Sequence, residues 1–260
     1  MADRPRLEAV LFDAGGTLIR LDFEWMAADL GRHGVRVDAT TLRRAEVEGR
    51  RRYDASVGAT RPPGGARGWP VGGGVGDPNA YFGGTLRAAG VPEAEIPAAL
   101  DRFAARQREP GLWTRPMEGA RAALDGVAAL GLRAAVVSNS DGRAALYLRD
   151  CDMLRGVEFV VDSHEVGIEK PDPRIFAIAL ERLGTPATRA LYVGDIRGVD
   201  EVGARAAGLH FVLVDPFGDY ARNGTAAIAT MERLPEWIRG RFALTRRERP
   251  ATQPREEDSP

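Results

Sequence analysis

Apolar residues fall along this chain in two rhythms. Ala9-Val10-Leu11-Phe12 is an unbroken apolar run that stops at Asp13-Ala14-Gly15-Gly16-Thr17. A run of that length predicts a strand buried on both faces, followed by a tight turn through residues that tolerate positive φ. From about 21 to 114 the spacing is helical, with segments over Phe23 to Leu30, Thr40 to Tyr53, Asn79 to Ala89 and Glu93 to Gln107. No strand-like alternation occurs in that block. A glycine- and proline-crowded stretch, Val57 to Gly76, interrupts it. It follows no strand and lacks the dinucleotide-binding spacing, so it predicts a surface loop or a lid element.

From Pro116 helix and strand alternate. Helices are expected over Glu118 to Leu130, Arg143 to Arg149, Asp172 to Leu183 and Val199 to Ala207. Strands are expected over Leu132 to Val137, Val157 to Val161, Ala190 to Val193 and Phe211 to Val214. That order predicts βαβ units and a parallel sheet, with the 9–12 run as its missing member. The expected organisation is an α/β core from residues 1–20 and 115–244, a helical insertion over 21–114, and a charged, disordered tail over 245–260.

Composition narrows the class. With 260 residues, 44% hydrophobic and 28% charged, the chain has the make-up of an ordinary globular protein. A net charge of −1 gives no argument for a nucleic-acid or membrane partner. Arg43, Arg44, Arg50, Arg51 and Arg52 are interleaved with Glu46 and Glu48, the pattern of a solvated helix face. The single cysteine, Cys151, rules out an intramolecular disulfide and fits a reducing compartment. No apolar run approaches the ~20 residues that span a bilayer, and no signal-peptide pattern precedes the first strand, so a cytoplasmic protein is expected. Asn223-Gly224-Thr225 reads as a turn rather than a glycosylation site. Of 36 basic side chains only one, Lys170, is lysine. A chain that uses arginine for every generic positive charge keeps lysine where a compact ammonium is needed.

The candidate chemistry sits at the strand ends, where open α/β sheets bind ligands. Asp13 closes the first strand, either as a cap for the next segment or as a nucleophile or metal ligand. Ser138-Asn139 closes the second core strand, and Gly194-Asp195 another, with Asp200 following. Lys170 lies just ahead of a helix that Asp172 caps, where an anionic ligand is favoured. Carboxylates converging there would repel one another without a hard cation, and Mg²⁺ suits a site of few carboxylates with room for water and phosphate oxygens. The hydroxyl, backbone N–H groups and Lys170 would hold the remaining phosphate oxygens. His33, His164 and His210 are isolated, and Cys151 has no partner at ligand spacing.

Four segments in this order resemble the haloacid dehalogenase superfamily of hydrolases: Phe12-Asp13-Ala14-Gly15-Gly16-Thr17-Leu18, Val136-Val137-Ser138-Asn139, Lys170-Pro171 and Val193-Gly194-Asp195-Ile196-Arg197-Gly198-Val199-Asp200. The resemblance implies an α/β fold, a Rossmann-like parallel sheet with helices on both faces and an inserted all-helical cap over 21–114. It implies Asp13 as nucleophile, Ser138 and Asn139 on the phosphoryl group, and Lys170 orienting nucleophile and phosphate. It also implies Mg²⁺ held by Asp13, the Gly15 carbonyl, Asp195 and Asp200. The chain departs from the family's phosphatase pattern at Gly15, where a second aspartate usually acts as general acid and base.

The leading expectation is an enzyme, a Mg²⁺-dependent phosphatase acting on a small phosphorylated compound through an aspartyl-phosphate. The alternative is a degenerate member that binds a phosphorylated ligand or a protein without efficient turnover. Dehalogenation is disfavoured because Asp195 and Asp200 keep the metal-binding spacing. A Schiff-base route from the cap is disfavoured because the chain's one lysine belongs to the third motif.

Overall fold

The run Ala9–Phe12 forms the central strand of a six-stranded parallel sheet, buried throughout. The computed structural model describes residues 4–58, 69, 75–218, 220–222 and 224–244. The expected tail, Asn223 of the 223–225 turn and most of the glycine-rich stretch lie outside these residues.

The chain begins with β1 (Arg6–Leu7), β2 (Ala9–Phe12) and β3 (Ile19–Arg20). Four helices follow: α1 (Phe23–Arg32), α2 (Ala39–Ser56), α3 (Pro78–Ala88) and α4 (Ile96–Arg108). The alternating part comprises β4 (Arg115–Pro116), α5 (Ala120–Ala129), β5 (Arg133–Ser138), α6 (Ala144–Asp150), β6 (Val160–Asp162) and α7 (Ser163–Val166). It continues through α8 (Pro173–Leu183), β7 (Ala190–Gly194), α9 (Val202–Ala206) and β8 (His210–Val214). The described chain closes with β9 (Ala227–Ile228), α10 (Leu234–Arg241) and β10 (Ala243–Leu244). None of the described helices is long and apolar enough to cross a membrane.

The sheet order is β6-β5-β2-β7-β8-β9, all parallel. Side chains alternate along each strand, so Val10 and Phe12 pack with α5, α6 and α10 on one face. Ala9 and Leu11 pack with α8 and α9 on the other. Burial on both faces is why these strands read as continuous apolar runs. The fold is thus α/β and Rossmann-like, with helices on both faces of a parallel sheet.

Helices α1 to α4 build a third apolar cluster, centred on Phe23, Met26, Leu30, Tyr81, Phe82, Leu86 and Phe103. The starts of α1, α2 and α3 are set by aspartates that accept backbone N–H groups: Asp22 from Trp25, Asp38 from Thr41 and Asp77 from Asn79. Asp172 caps α8 in the same way, as the sequence predicts. The two chain passages into and out of this helical block pair as β3 and β4, antiparallel, with Ile19 beside Pro116.

Two elements differ from expectation. β6 is shorter than the run Val157 to Val161, although the Glu158 N–H still donates to the Ala134 carbonyl at 2.8 Å. The helix expected from Val199 begins instead as a wide π turn over Arg197–Glu201. Asp200 lies in that turn, and its Oδ2 accepts from the Asp195 and Ile196 N–H groups at 3.0 and 2.9 Å. Those bonds draw the turn back onto the end of β7.

Candidate active site

Register brings the strand ends together. Phe12 lies beside Val136 of β5 on one side and Val193 of β7 on the other. Asp13, Ser138 and Asp195 therefore emerge at neighbouring carboxyl ends, and all three are buried. Asp13 does not act as a helix cap. Asp13, Asp195 and Asp200 each offer a carboxylate oxygen, the three oxygens within 4.8 Å of one another.

Lys170 is the hub. Its Nζ lies 2.8 Å from Asp13 Oδ1, 2.8 Å from Asp200 Oδ1 and 2.8 Å from the Tyr192 hydroxyl. All three ammonium donors are thus used, and the side chain is 1% exposed. The Tyr192 hydroxyl in turn donates to the Val137 carbonyl at 2.9 Å. Burial alone would push the ammonium down, but Asp13 and Asp200 hold it above its usual range.

Asn139 braces this lysine from the main chain. Its amide donates to the Lys170 carbonyl at 2.9 Å and accepts from the Lys170 N–H at 2.8 Å. The Asn139 side chain is therefore turned to Lys170, and Ser138 is the residue of that pair whose hydroxyl remains at the cavity.

The carboxylates carry a strong electrostatic imprint. Burial raises the Asp13 carboxyl and Lys170 pulls it back, leaving it at about 6. Asp195 is pushed well up by burial, opposed by Arg50 and reinforced by Asp200 and Asp13. Its Oδ1 is buried without a hydrogen-bond partner. Two glycines shape this wall. Gly16 has φ +76°, and a Cβ there would lie 2.1 Å from Asp195 Oδ2. At Gly15 a Cβ would lie 3.1 Å from Trp113 Cε3. An unpartnered buried carboxylate oxygen beside two further acids is the donor set of a hard divalent cation.

One arginine read as part of a solvated face is not solvated. Arg50 is 3% exposed; Arg51 and Arg52 do lie at the surface. Its guanidinium reaches Glu46 Oε2 at 3.3 Å, the Val214 carbonyl at 3.4 Å and Asp195 Oδ2 at 3.3 Å. The Nε–H is not aligned as a hydrogen bond to that carboxylate. The signal was in the spacing: Leu42, Ala45, Glu46, Gly49 and Arg50 fall on one helical stripe, all buried.

Above Asp13 lies a cavity of about 170 Å³. Its floor includes Asp13, Ser138, Lys170 and Asp195, and its walls include Tyr53, Trp69, Tyr81, Phe82, Trp113 and Tyr147. The floor residues were legible at the strand ends in the sequence; the walls were not, because aromatic residues scattered over three helices and two loops carry no local pattern.

Known proteins resemble this chain in sequence and in fold. The sequence model of haloacid dehalogenase-like hydrolases matches residues 7–208. Haloacid dehalogenase-like hydrolase domain-containing protein 3 of Mus musculus is 34% identical over 225 residues, covering 82% of this chain and 84% of its own. Ribulose-1,5-bisphosphate 5-phosphatase of Halopiger xanaduensis is 40% identical over 77 residues, covering 30% of this chain and 32% of its own. Among solved structures, the HAD-hydrolase YfnB of Bacillus subtilis, bound to magnesium, has a TM-score of 0.59 at 21% identity. That likeness covers 90% of this chain and 99% of YfnB, and it concerns the fold. With the motif residues gathered at one sheet end and the family pattern running from β1 to the turn after α9, the chain belongs to the haloacid dehalogenase-like hydrolases.

Proposed function

We propose that this hydrolase is a Mg²⁺-dependent phosphatase whose nucleophile is Asp13. The observation that carries the reading is the Lys170 ammonium held between Asp13 and Asp200 at 2.8 Å from each, beside the unpartnered Asp195 oxygen. Asp13, the Gly15 carbonyl, Asp195 and Asp200 would hold Mg²⁺, whose charge would offset that of the transferring phosphoryl group. Asp200 also fixes the 195–200 turn and Lys170, so its role is partly positional.

Asp13 attacks phosphorus in line while Lys170 keeps the carboxylate oriented and neutralises charge on the phosphoryl oxygens. Ser138 binds those oxygens through its hydroxyl, and Asn139 contributes by its main chain and by fixing Lys170. Water then resolves the aspartyl-phosphate. Residues 21–114 act as a cap that roofs the cavity, joined to the core at β3 and β4. The named phosphatase relative supports phosphate esters as the substrate class. The single cysteine supports a reducing, cytoplasmic setting.

A second reading, a phosphate-ester binder without efficient turnover, has one observation behind it: Trp113 covers Gly15, where the family's acid stands. A panel of small phosphorylated compounds with Mg²⁺, run on wild type and Asp13→Asn, separates the two. The phosphatase reading expects phosphate release from at least one compound, lost in the variant. Binding without release would favour the second reading.

A further inference from the structure

We infer that the substrate's leaving group is a flat aromatic alcohol, so that the site takes aryl phosphate monoesters in preference to sugar or alkyl phosphates. The inference rests on the phosphatase reading and adds the class of ester.

The first ground is that, among the described residues, no carboxylic acid stands free to protonate a leaving group beside Asp13. Gly15 offers none, and the space beside it holds the Trp113 indole. Among the described residues of the helical block that line the cavity, none is Asp or Glu. The one carboxylate on the lining outside the Asp13, Asp195 and Asp200 cluster is Asp141. Asp141 accepts from Arg143 Nε at 3.1 Å and Nη2 at 2.5 Å, and from Gln107 at 3.3 Å. Its carboxylate oxygens are thus turned to Arg143 and Gln107. An aliphatic alkoxide leaves poorly without protonation. A phenol, with a pKa near the ~10 of tyrosine, leaves as its delocalised anion.

The second ground is the wall. Six aromatic rings line the space over Asp13, three of them on cap helices α2 and α3. Trp69 stacks on Phe82 with centroids 4.5 Å apart and planes 10° from parallel. Tyr81 meets Phe82 edge-on at 5.1 Å and Tyr53 edge-on at 6.1 Å, and its ring lies 6.4 Å from that of Trp113. Flat faces and edges at these spacings extend naturally to one more ring. Among the described lining residues the only cation is Lys170, already committed to Asp13 and Asp200. A second phosphate or a sugar acid would find no counter-charge there, and sugar hydroxyls would be set against ring faces.

The reaction balances without an added acid. An Asp13 oxygen bonds to phosphorus as the P–O(aryl) bond breaks, and its electron pair departs on the aryl oxide, which takes a proton from solvent. Water then adds to phosphorus, the aspartyl C–O–P linkage breaks, and the water proton passes to the departing phosphate.

The test uses four esters with the full chain and Mg²⁺: phenyl phosphate, cyclohexyl phosphate of the same ring size, acetyl phosphate as an acidic non-aromatic leaving group, and ribulose 1,5-bisphosphate. Phenyl phosphate is expected to exceed cyclohexyl phosphate in kcat/KM by about 10²–10⁴, the range general-acid loss exacts from the poor leaving group. Trp113→Leu is expected to raise KM for phenyl phosphate up to roughly tenfold. Calorimetry on Asp13→Asn supplies a reading independent of turnover, with phenyl phosphate expected to bind several-fold more tightly than cyclohexyl phosphate. Equal binding of the two rings, or preferred hydrolysis of ribulose 1,5-bisphosphate, overturns the inference. No hydrolysis of acetyl phosphate alongside intact aryl preference in binding overturns the phosphatase reading instead, and leaves the ligand class standing.

Discussion

The Trp113 indole lies against Gly15, with its Cε3 3.1 Å from where a Cβ at that residue would sit. Gly15 and the indole are therefore one feature of the site. Gly15→Asp alone is expected to overpack the wall, at a cost of about 1–3 kcal/mol, without a gain in rate on cyclohexyl phosphate. Gly15→Asp with Trp113→Ala makes room for the carboxyl and is expected to raise that rate, by up to ~10². Thermal melts and steady-state rates of the single and double variants check this.

Arg50 of α2 reaches the acidic cluster, 3.3 Å from both Glu46 and Asp195. Arg50→Met leaves two buried carboxylates without a cation and is expected to cost about 3–5 kcal/mol. Mg²⁺ bound at Asp195 would supply the lost positive charge. The stabilisation by Mg²⁺, read from urea unfolding with and without the ion, is therefore expected to be larger in the variant than in wild type.

Lys170 satisfies three oxygens at 2.8 Å from a position 1% exposed. A planar guanidinium is larger and cannot point three donors from one atom. Lys170→Arg is expected to lose phosphate release while keeping its charge, and to unfold about 1–3 kcal/mol more easily. Restored activity in that variant would detach the chain's only lysine from the chemistry.

Asp13 sits at about 6 because burial outweighs the pull of Lys170. A proton on Asp13 competes with a divalent cation, so below pH about 6 cation affinity is expected to fall roughly tenfold per unit, and above it to flatten. The same shift enters folding with the opposite sense. The folded state of the metal-free protein holds this proton more tightly than the unfolded chain, so that contribution is complete at low pH and is lost as pH rises through about 6. Mn²⁺ or Mg²⁺ titrations and unfolding curves from pH 5 to 8 report the two slopes.

The strand ends were legible in the sequence for a physical reason. A strand buried on both faces is a continuous apolar run, and its last residue is where a polar group first becomes tolerable. Asp13, Ser138 and Asp195 therefore announce themselves by position. Lys170 stood out because arginine fills every other basic position. What the chain did not disclose depends on distant pairings. The bracing of the Lys170 backbone by the Asn139 amide is one such pairing. Glu46 and Arg50 look like an exposed i,i+4 pair until the helix is docked on Asp195. The short strands β3, β4, β9 and β10 are two residues each, too brief for a periodic signal.

Asp13, as the nucleophile, is expected to become phosphorylated during turnover. The most direct measurement is acid quenching of the protein during turnover of 4-nitrophenyl phosphate with Mg²⁺, followed by peptide mass analysis. A phosphoryl adduct is expected on the peptide carrying Asp13, and both the adduct and nitrophenol release are expected to be absent from Asp13→Asn. Release of nitrophenol at equal rates by wild type and Asp13→Asn, with no adduct in either, would contradict it.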